Sequence, residues 1–263
     1  MTRRLRHGLL VVVALMVLGT GYALLAPRPQ TATAQPVQAQ LDQGRELYNH
    51  ACITCHGANL QGVPDRGPTL IGVGDAAVYF QVSTGRMPLA RSEERGYRRD
   101  PQPQFDPDTA RGRENLAALG AYVQAHGGGP EVPAETGPEL IGSDVATGGD
   151  LYRLNCAYCH HFTGRGGFLA EGRFPPRLEQ ATPEQMYTAM LSGPFAMPVF
   201  SDRQLTPEEK KNIIAYVLAV RGQNNAPGGY NLGEMGPATE GVIAFLVGLA
   251  ALVGVAAWIG ARS

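Results

Sequence analysis

The chain has 263 residues, a formal net charge of −1, 34 glycines and 20 prolines. That length accommodates about two domains, and the near-zero charge excludes an overall basic field for nucleic acid. The positive charge is almost all arginine, Lys210 and Lys211 being the only lysines. All four cysteines fall in two Cys-x-x-Cys-His strings, "CITCH" and "CAYCH".

Residues 1–26 open with "RRLRH" and continue through an apolar run from Leu9 to Ala26. Basic residues before an apolar run form the front of an export signal, but this run exceeds the roughly 7–15 residues of an ordinary signal core. A cleaved signal sequence and a retained membrane anchor are both consistent with it. In either case the positive-inside rule keeps the arginines in the cytoplasm and sends the following residues outside. Residues 27–40 read as a linker.

The body repeats itself. "GRELYNHACITCHG" (Gly44 to Gly57) aligns with "GDLYRLNCAYCHH" (Gly149 to His161). Downstream, "GPTL" at Gly67 matches "PPRL" at Pro175, and "GRMPL" at Gly85 matches "FAMPV" at Phe195. "NLAALGAYVQ" at Asn115 then matches "NIIAYVLAV" at Asn212. The order in each half is a helix with the motif, a loop, Met-Pro and a last helix. Two copies of one small, mainly α domain explain it, residues 41–129 and 144–226. The Gly- and Pro-rich segments 130–143 and 227–240 read as linkers. Residues 241–260, "GVIAFLVGLAALVGVAAWIG", carry no charge. As a helix they span roughly 30 Å, the thickness of a bilayer core, and predict a transmembrane helix.

On a helix, residues three and four apart share a face. Cys52, Cys55 and His56 therefore project to one side, and so do Cys156, Cys159 and His160. Cys-x-x-Cys-His is the signature of covalent haem attachment, with two thioethers to the vinyl groups and the next imidazole on iron. A disulfide framework needs no trailing histidine, a zinc tetrahedron is crowded by adjacent Cys and His, and a thioredoxin-like site needs a βαβ pattern. The sequence thus predicts two covalently bound haem c groups.

Met87 is the only methionine of the first copy, and the repeat places it opposite Met197. Pro88 and Pro198 stiffen the chain just after each. Met87 and Met197 are therefore the expected sixth ligands, with His50 and His126 as alternatives in the first copy. Met186 and Met190 fit core filling instead. His161, beside His160, is expected to face solvent or a propionate. Thioether ligation raises the reduction potential relative to a bis-His haem. With both axial positions filled, the chain passes electrons and performs no bond chemistry alone.

Each half resembles a class I cytochrome c, with Tyr48 and Tyr152 placed where the first helix would meet Tyr122 and Tyr216 of the last. The full length is similar to the dihaem cytochrome c subunit of the actinobacterial menaquinol–cytochrome c reductase, the cytochrome bcc complex. That resemblance implies haem attachment through Cys52, Cys55, Cys156 and Cys159, and axial pairs His56/Met87 and His160/Met197. It implies cytochrome b and Rieske iron–sulfur partners, and electron delivery to a cytochrome aa-type oxidase. The haem domains would then lie on the extracytoplasmic side of the cell membrane. A free-standing tethered dihaem carrier, or a haem subunit of a terminal oxidase or membrane dehydrogenase, is the competing reading. The first copy also carries additional length, Arg91 to Asp106, which reads as a solvated loop or as a docking surface for a partner.

Overall fold

The structure is a computed structural model, and it describes residues 3–25, 34–91, 96–167, 169, 174–221 and 237–262. Among the described residues there is no β-strand; the regular structure is ten α-helices with short 3₁₀ turns. The first domain is built from α2 (Ala34–Ala51), α3 (Ile53–His56), α4 (Gly74–Ser83) and α5 (Ala110–Gln124). The second repeats it with α6 (Val145–Asn155), α7 (Ala157–His160), α8 (Pro183–Ser192) and α9 (Pro207–Arg221). The apolar helices α1 (Arg3–Leu25) and α10 (Pro237–Gly260) stand outside both cores. The stretch Glu240–Gly260 of α10 is long and apolar enough to cross a membrane, whereas the apolar part of α1, Arg6–Tyr22, is shorter. At the end of α10 the Arg262 guanidinium lies 4.4 Å from the Trp258 ring.

Two segments expected as linkers are partly helical. α2 starts at Ala34, inside residues 27–40, and Pro36 stands in its first turn. α10 starts at Pro237, inside residues 227–240. A proline in the first turn gives up an N–H that has no intrahelical acceptor, so it starts a helix without cost.

In each domain the first and last helices cross at contact distance. A Cβ on Gly44 of α2 would lie 2.0 Å from the Ala118 carbonyl oxygen of α5. A Cβ on Gly148 of α6 would lie 1.9 Å from the Asn212 carbonyl oxygen of α9. Only glycine permits that approach. Beside each crossing a tyrosine pair packs, Tyr48 with Tyr122 at 5.4 Å between ring centroids and Tyr152 with Tyr216 at 5.2 Å. These contacts correct the repeat alignment. Matching letters pairs Gly44 with Gly149 and Asn115 with Asn212; packing pairs Gly44 with Gly148 and Ala118 with Asn212.

Around the first crossing Tyr48, Leu60, Val78, Val82, Phe105, Leu116, Leu119 and Val123 form one core. Around the second, Tyr152, Met186, Tyr187, Met190, Ile213, Ile214 and Val217 do the same. Met186 and Met190 are thus core residues, as their helical spacing suggests. Local chemistry sets the helix starts. Thr109 caps α5 by accepting from the Gly112 N–H, and Asp144 caps α6 by accepting from the Thr147 N–H. Thr182 and Gln185 form a capping box on α8, with Pro183 in its first turn.

The domains pack on each other through their equivalent helices, α4 against α8. Gln185, 2% exposed, sits at the centre of this seam. Its Nε2 donates to the Ser83 carbonyl at 3.3 Å, while its Oε1 accepts from Arg98 Nη2 at 3.0 Å. Arg98 Nη2 also donates to the Gln180 carbonyl at 2.9 Å. The long insertion of the first copy therefore reaches the second domain. Its described part is a bracket across the seam, with residues 92–95 outside the described residues. The intervening chain is strapped down as well. Ala76 N–H donates to the Pro130 carbonyl, Val132 N–H to Asp75, Gly137 N–H to Glu184 and Gly142 N–H to the Lys211 carbonyl.

Gly148→Ala tests the crossing. Alanine gains about 0.5–1 kcal/mol of backbone entropy and helix propensity. A Cβ against backbone cannot be relieved by a rotamer change, so we expect a net loss of about 1–3 kcal/mol in a thermal melt. Gly149→Ala, whose Cβ meets only the Tyr216 ring at 3.0 Å and the end of Arg153, should cost less.

Candidate haem-attachment sites

Both motifs straddle a break between two helices. α2 ends at Ala51, Cys52 takes φ −123° and ψ −32°, and α3 resumes at Ile53. Cys156 breaks α6 from α7 in the same way, at φ −122° and ψ −35°. Hydrogen bonds to the Cys52 carbonyl from the Cys55 and His56 N–H groups keep the three motif residues on one turn. The Cys156 carbonyl receives Cys159 and His160 likewise. None of the four cysteines is in a disulfide. Burial pushes the Cys52 thiol up to about 11 and the Cys156 thiol up to about 12, the neighbouring motif cysteine adding to each. Such groups are thiols at neutral pH. Among the described residues no cluster of three or more His, Cys, Asp or Glu could hold a metal ion.

Each motif histidine is oriented by a proline carbonyl. His56 Nδ1 lies 2.8 Å from the Pro68 oxygen, and His160 Nδ1 lies 3.1 Å from the Pro176 oxygen. A carbonyl only accepts, so Nδ1 carries the proton and the Nε2 lone pair is left for a metal. Burial holds the His160 imidazole below its ordinary range, partly opposed by the Pro176 bond. The neutral, ligating form is the one favoured.

The first motif cysteine and the matched methionine share a cluster in each domain. Cys52 and Met87 both pack on the core around Tyr48 and Leu60. Cys156 and Met197 both pack on the core around Tyr152 and Met190. Met87 is fixed by its N–H bond to the Gln81 carbonyl at 2.9 Å, and Met197 by its bond to the Pro194 carbonyl at 3.0 Å. The other histidines make local contacts of their own. His50 is exposed on α2, 3.9 Å from Glu46. His126 Nδ1 lies 2.7 Å from the Tyr122 carbonyl. His161 Nδ1 lies 3.0 Å from Thr163 Oγ1. Two thiols and an imidazole with Nε2 available on one turn, with the first thiol and a thioether packed on the same apolar cluster, are a donor set that fits haem c in each domain.

Sequence reasoning missed the hydrogen-bonding role of four residues and the burial of a fifth. The carbonyls of Pro68 and Pro176 lie in the matched "GPTL" and "PPRL" strings, which signalled a shared role without giving it. The tyrosine hydroxyls hold the chain just after each motif histidine: Tyr48 donates to the Gly57 carbonyl at 2.6 Å and Tyr152 to the His161 carbonyl at 2.9 Å. Arg86, beside Met87, is buried with its guanidinium 4.9 Å from the Phe80 ring.

Two helical domains, each closing one such motif and one methionine around a single core, define a tandem c-type cytochrome. A family model for cytochrome c matches residues 41–126, and one described as cytochrome c oxidase, cbb3-type, subunit III matches residues 143–217. The chain is 52% identical over 267 residues to the cytochrome bc1 complex cytochrome c subunit of Mycobacterium tuberculosis, covering 99% of this chain and 92% of that one. It is 51% identical over 263 residues to that of Mycobacterium leprae, covering 98% and 88%. It is 46% identical over 280 residues to that of Corynebacterium diphtheriae, covering 99% and 96%. The chain belongs to the family of cytochrome bc1 complex cytochrome c subunits, c-type cytochromes of electron transport.

One matched position is strained. Gly57 takes φ 80° and ψ 158° after the first motif histidine, and His161 takes φ 61° and ψ 154° after the second. That region is nearly glycine-only and costs another residue about 1–3 kcal/mol. Glycine there would return about 0.5–1 kcal/mol through the entropy of the unfolded chain. His161→Gly should therefore stabilise the protein by about 1 kcal/mol. A lowered melting temperature would mean that the Thr163 contact outweighs the strain.

Proposed function

We propose that this chain relays electrons, one at a time, through two His/Met haems within a respiratory quinol–cytochrome c reductase. Cys52 and Cys55 attach the first haem, with His56 and Met87 on its iron. Cys156 and Cys159 attach the second, with His160 and Met197. A bound haem c supplies a one-electron iron couple; the chain supplies everything that tunes and places it. Pro68 and Pro176 fix the histidine tautomers. The thioether donors favour ferrous iron and so raise both potentials. The apolar clusters exclude water from the metal faces. The α4–α8 seam holds the two sites as one unit, so transfer between them needs no domain search.

The observation that carries this reading is the repetition of the whole donor set, His–Pro carbonyl bond included, in a chain similar along its length to bc1 complex subunits. The donor is a Rieske iron–sulfur subunit and the acceptor a cytochrome aa-type oxidase, with a cytochrome b subunit completing the reductase. α10 anchors the chain in the membrane and both haem domains lie on the extracytoplasmic side. Exposed apolar side chains around the second motif, Leu154 at 82% and Tyr158 at 90%, suit protein docking. The first motif carries His50 and Thr54 in their places.

Purification in mild detergent through a C-terminal tag tests the assembly. Cytochrome b, Rieske and oxidase subunits should co-purify and sustain menaquinol-driven oxygen uptake. A protein that emerges alone, spectrally intact and inert toward quinol, would be a tethered carrier instead. Met87→His and Met197→His test the ligation: each should lower one of the two haem potentials and leave the other in place. A variant with both potentials unmoved would exclude that methionine.

A further inference from the structure

Arg86 is 6% exposed, and its Nη1 is a buried donor without a hydrogen-bond partner. A buried, unanswered guanidinium costs several kcal/mol unless an anion meets it. Its only described charged neighbour of consequence is Arg98, of the same sign. Its ring contact, Phe80, offers no counter-charge. One covalent bond further along the chain stands Met87. The second copy has Ala196 at this position, so the first domain alone carries a buried charge beside its methionine.

We propose that Arg86 is the anion-pairing residue of the first domain, its Nη1 donating to a propionate of the haem held there. This rests on the reading of His56 and Met87 as that haem's axial ligands. The haem brings its own carboxylates into an otherwise apolar pocket, and they are the anions that the chain leaves uncovered. A guanidinium matches a carboxylate in geometry and stays charged when buried. Pairing also has an electronic consequence. An uncompensated propionate favours ferric iron; a paired one does not. Arg86 thus raises the potential of the first haem, and the second copy has no arginine at the matched position. Arg86 acts through the propionate and is a positioning residue, not a ligand.

The test is a spectroelectrochemical titration of the intact protein in detergent, wild type against Arg86→Gln, Arg86→Ala and Arg86→Lys. Met87→His marks which of the two one-electron waves belongs to the first haem. Arg86→Gln and Arg86→Ala should make that haem harder to reduce, on the order of tenfold in its equilibrium with a fixed mediator. The other wave should stay where it is. Arg86→Lys should recover most of the loss, and resonance Raman bands of the propionates should shift in the neutral variants. Should Arg86→Ala fail to fold, Arg86→Gln and Arg86→Lys decide alone. Unmoved potentials and propionate bands in a folded Arg86→Gln protein with two haems would overturn the proposal. So would a Glu93→Gln/Glu94→Gln variant that reproduces the Arg86→Gln shift, because the anion would then be the chain's own. A protein lacking the first haem altogether, seen in its intact mass, would instead overturn the ligation on which the proposal rests.

Discussion

The structure depends on two places where helices touch backbone to backbone. At Gly44 and Gly148 the absence of a side chain lets the first helix of each domain lie directly on a carbonyl of the last. That approach brings each tyrosine pair into ring contact, and it aims the Tyr48 and Tyr152 hydroxyls at the residue after the motif histidine. The motif turn is therefore held from its far side by a bond that begins at the crossing. From its near side the histidine ring is held by a proline carbonyl. Between these supports the imidazole is held in one orientation, with Nε2 left available for a metal.

The same unit is used twice, and the copies are joined at equivalent helices. Gln185 shows how closely the levels are coupled. It closes the capping box of α8, receives Arg98 from the insertion of the first copy and reaches the Ser83 carbonyl at the end of α4. One side chain thereby links helix initiation, domain packing and the loop that leads away from Met87. With the strapped segment between the domains, it makes the pair a single body rather than two beads on a string. A relay between two fixed sites gains from this, since no conformational search precedes each transfer.

Much of the site was legible because it is written in short covalent spacings. Cys-x-x-Cys-His and Met-Pro need only local sequence, and the repeat showed each twice. What stayed hidden depends on chain reversal. A proline carbonyl leaves no signature of what it accepts. The one-residue offset between Gly148 and the aligned Gly149 was there in the count back from each first motif cysteine, but packing shows why it matters. Arg91 to Asp106 reads as a solvated loop because its partners, Gln180 and Gln185, lie far along the chain. The start of α2 at Ala34 was masked by the Pro- and Gln-rich composition of that segment. A proline belongs at a helix start as readily as in a linker.

The central claim is that both halves carry a covalently attached haem with sulfur and imidazole on its iron. The intact mass of the purified protein, read together with the long-wavelength methionine-to-iron charge-transfer band of its ferric state, tests it most directly. The account predicts a mass increment of two haems and a band of two-haem intensity, half of it lost with Met87→His and the rest with Met197→His. A single haem increment, or two haems with no such band, would contradict it.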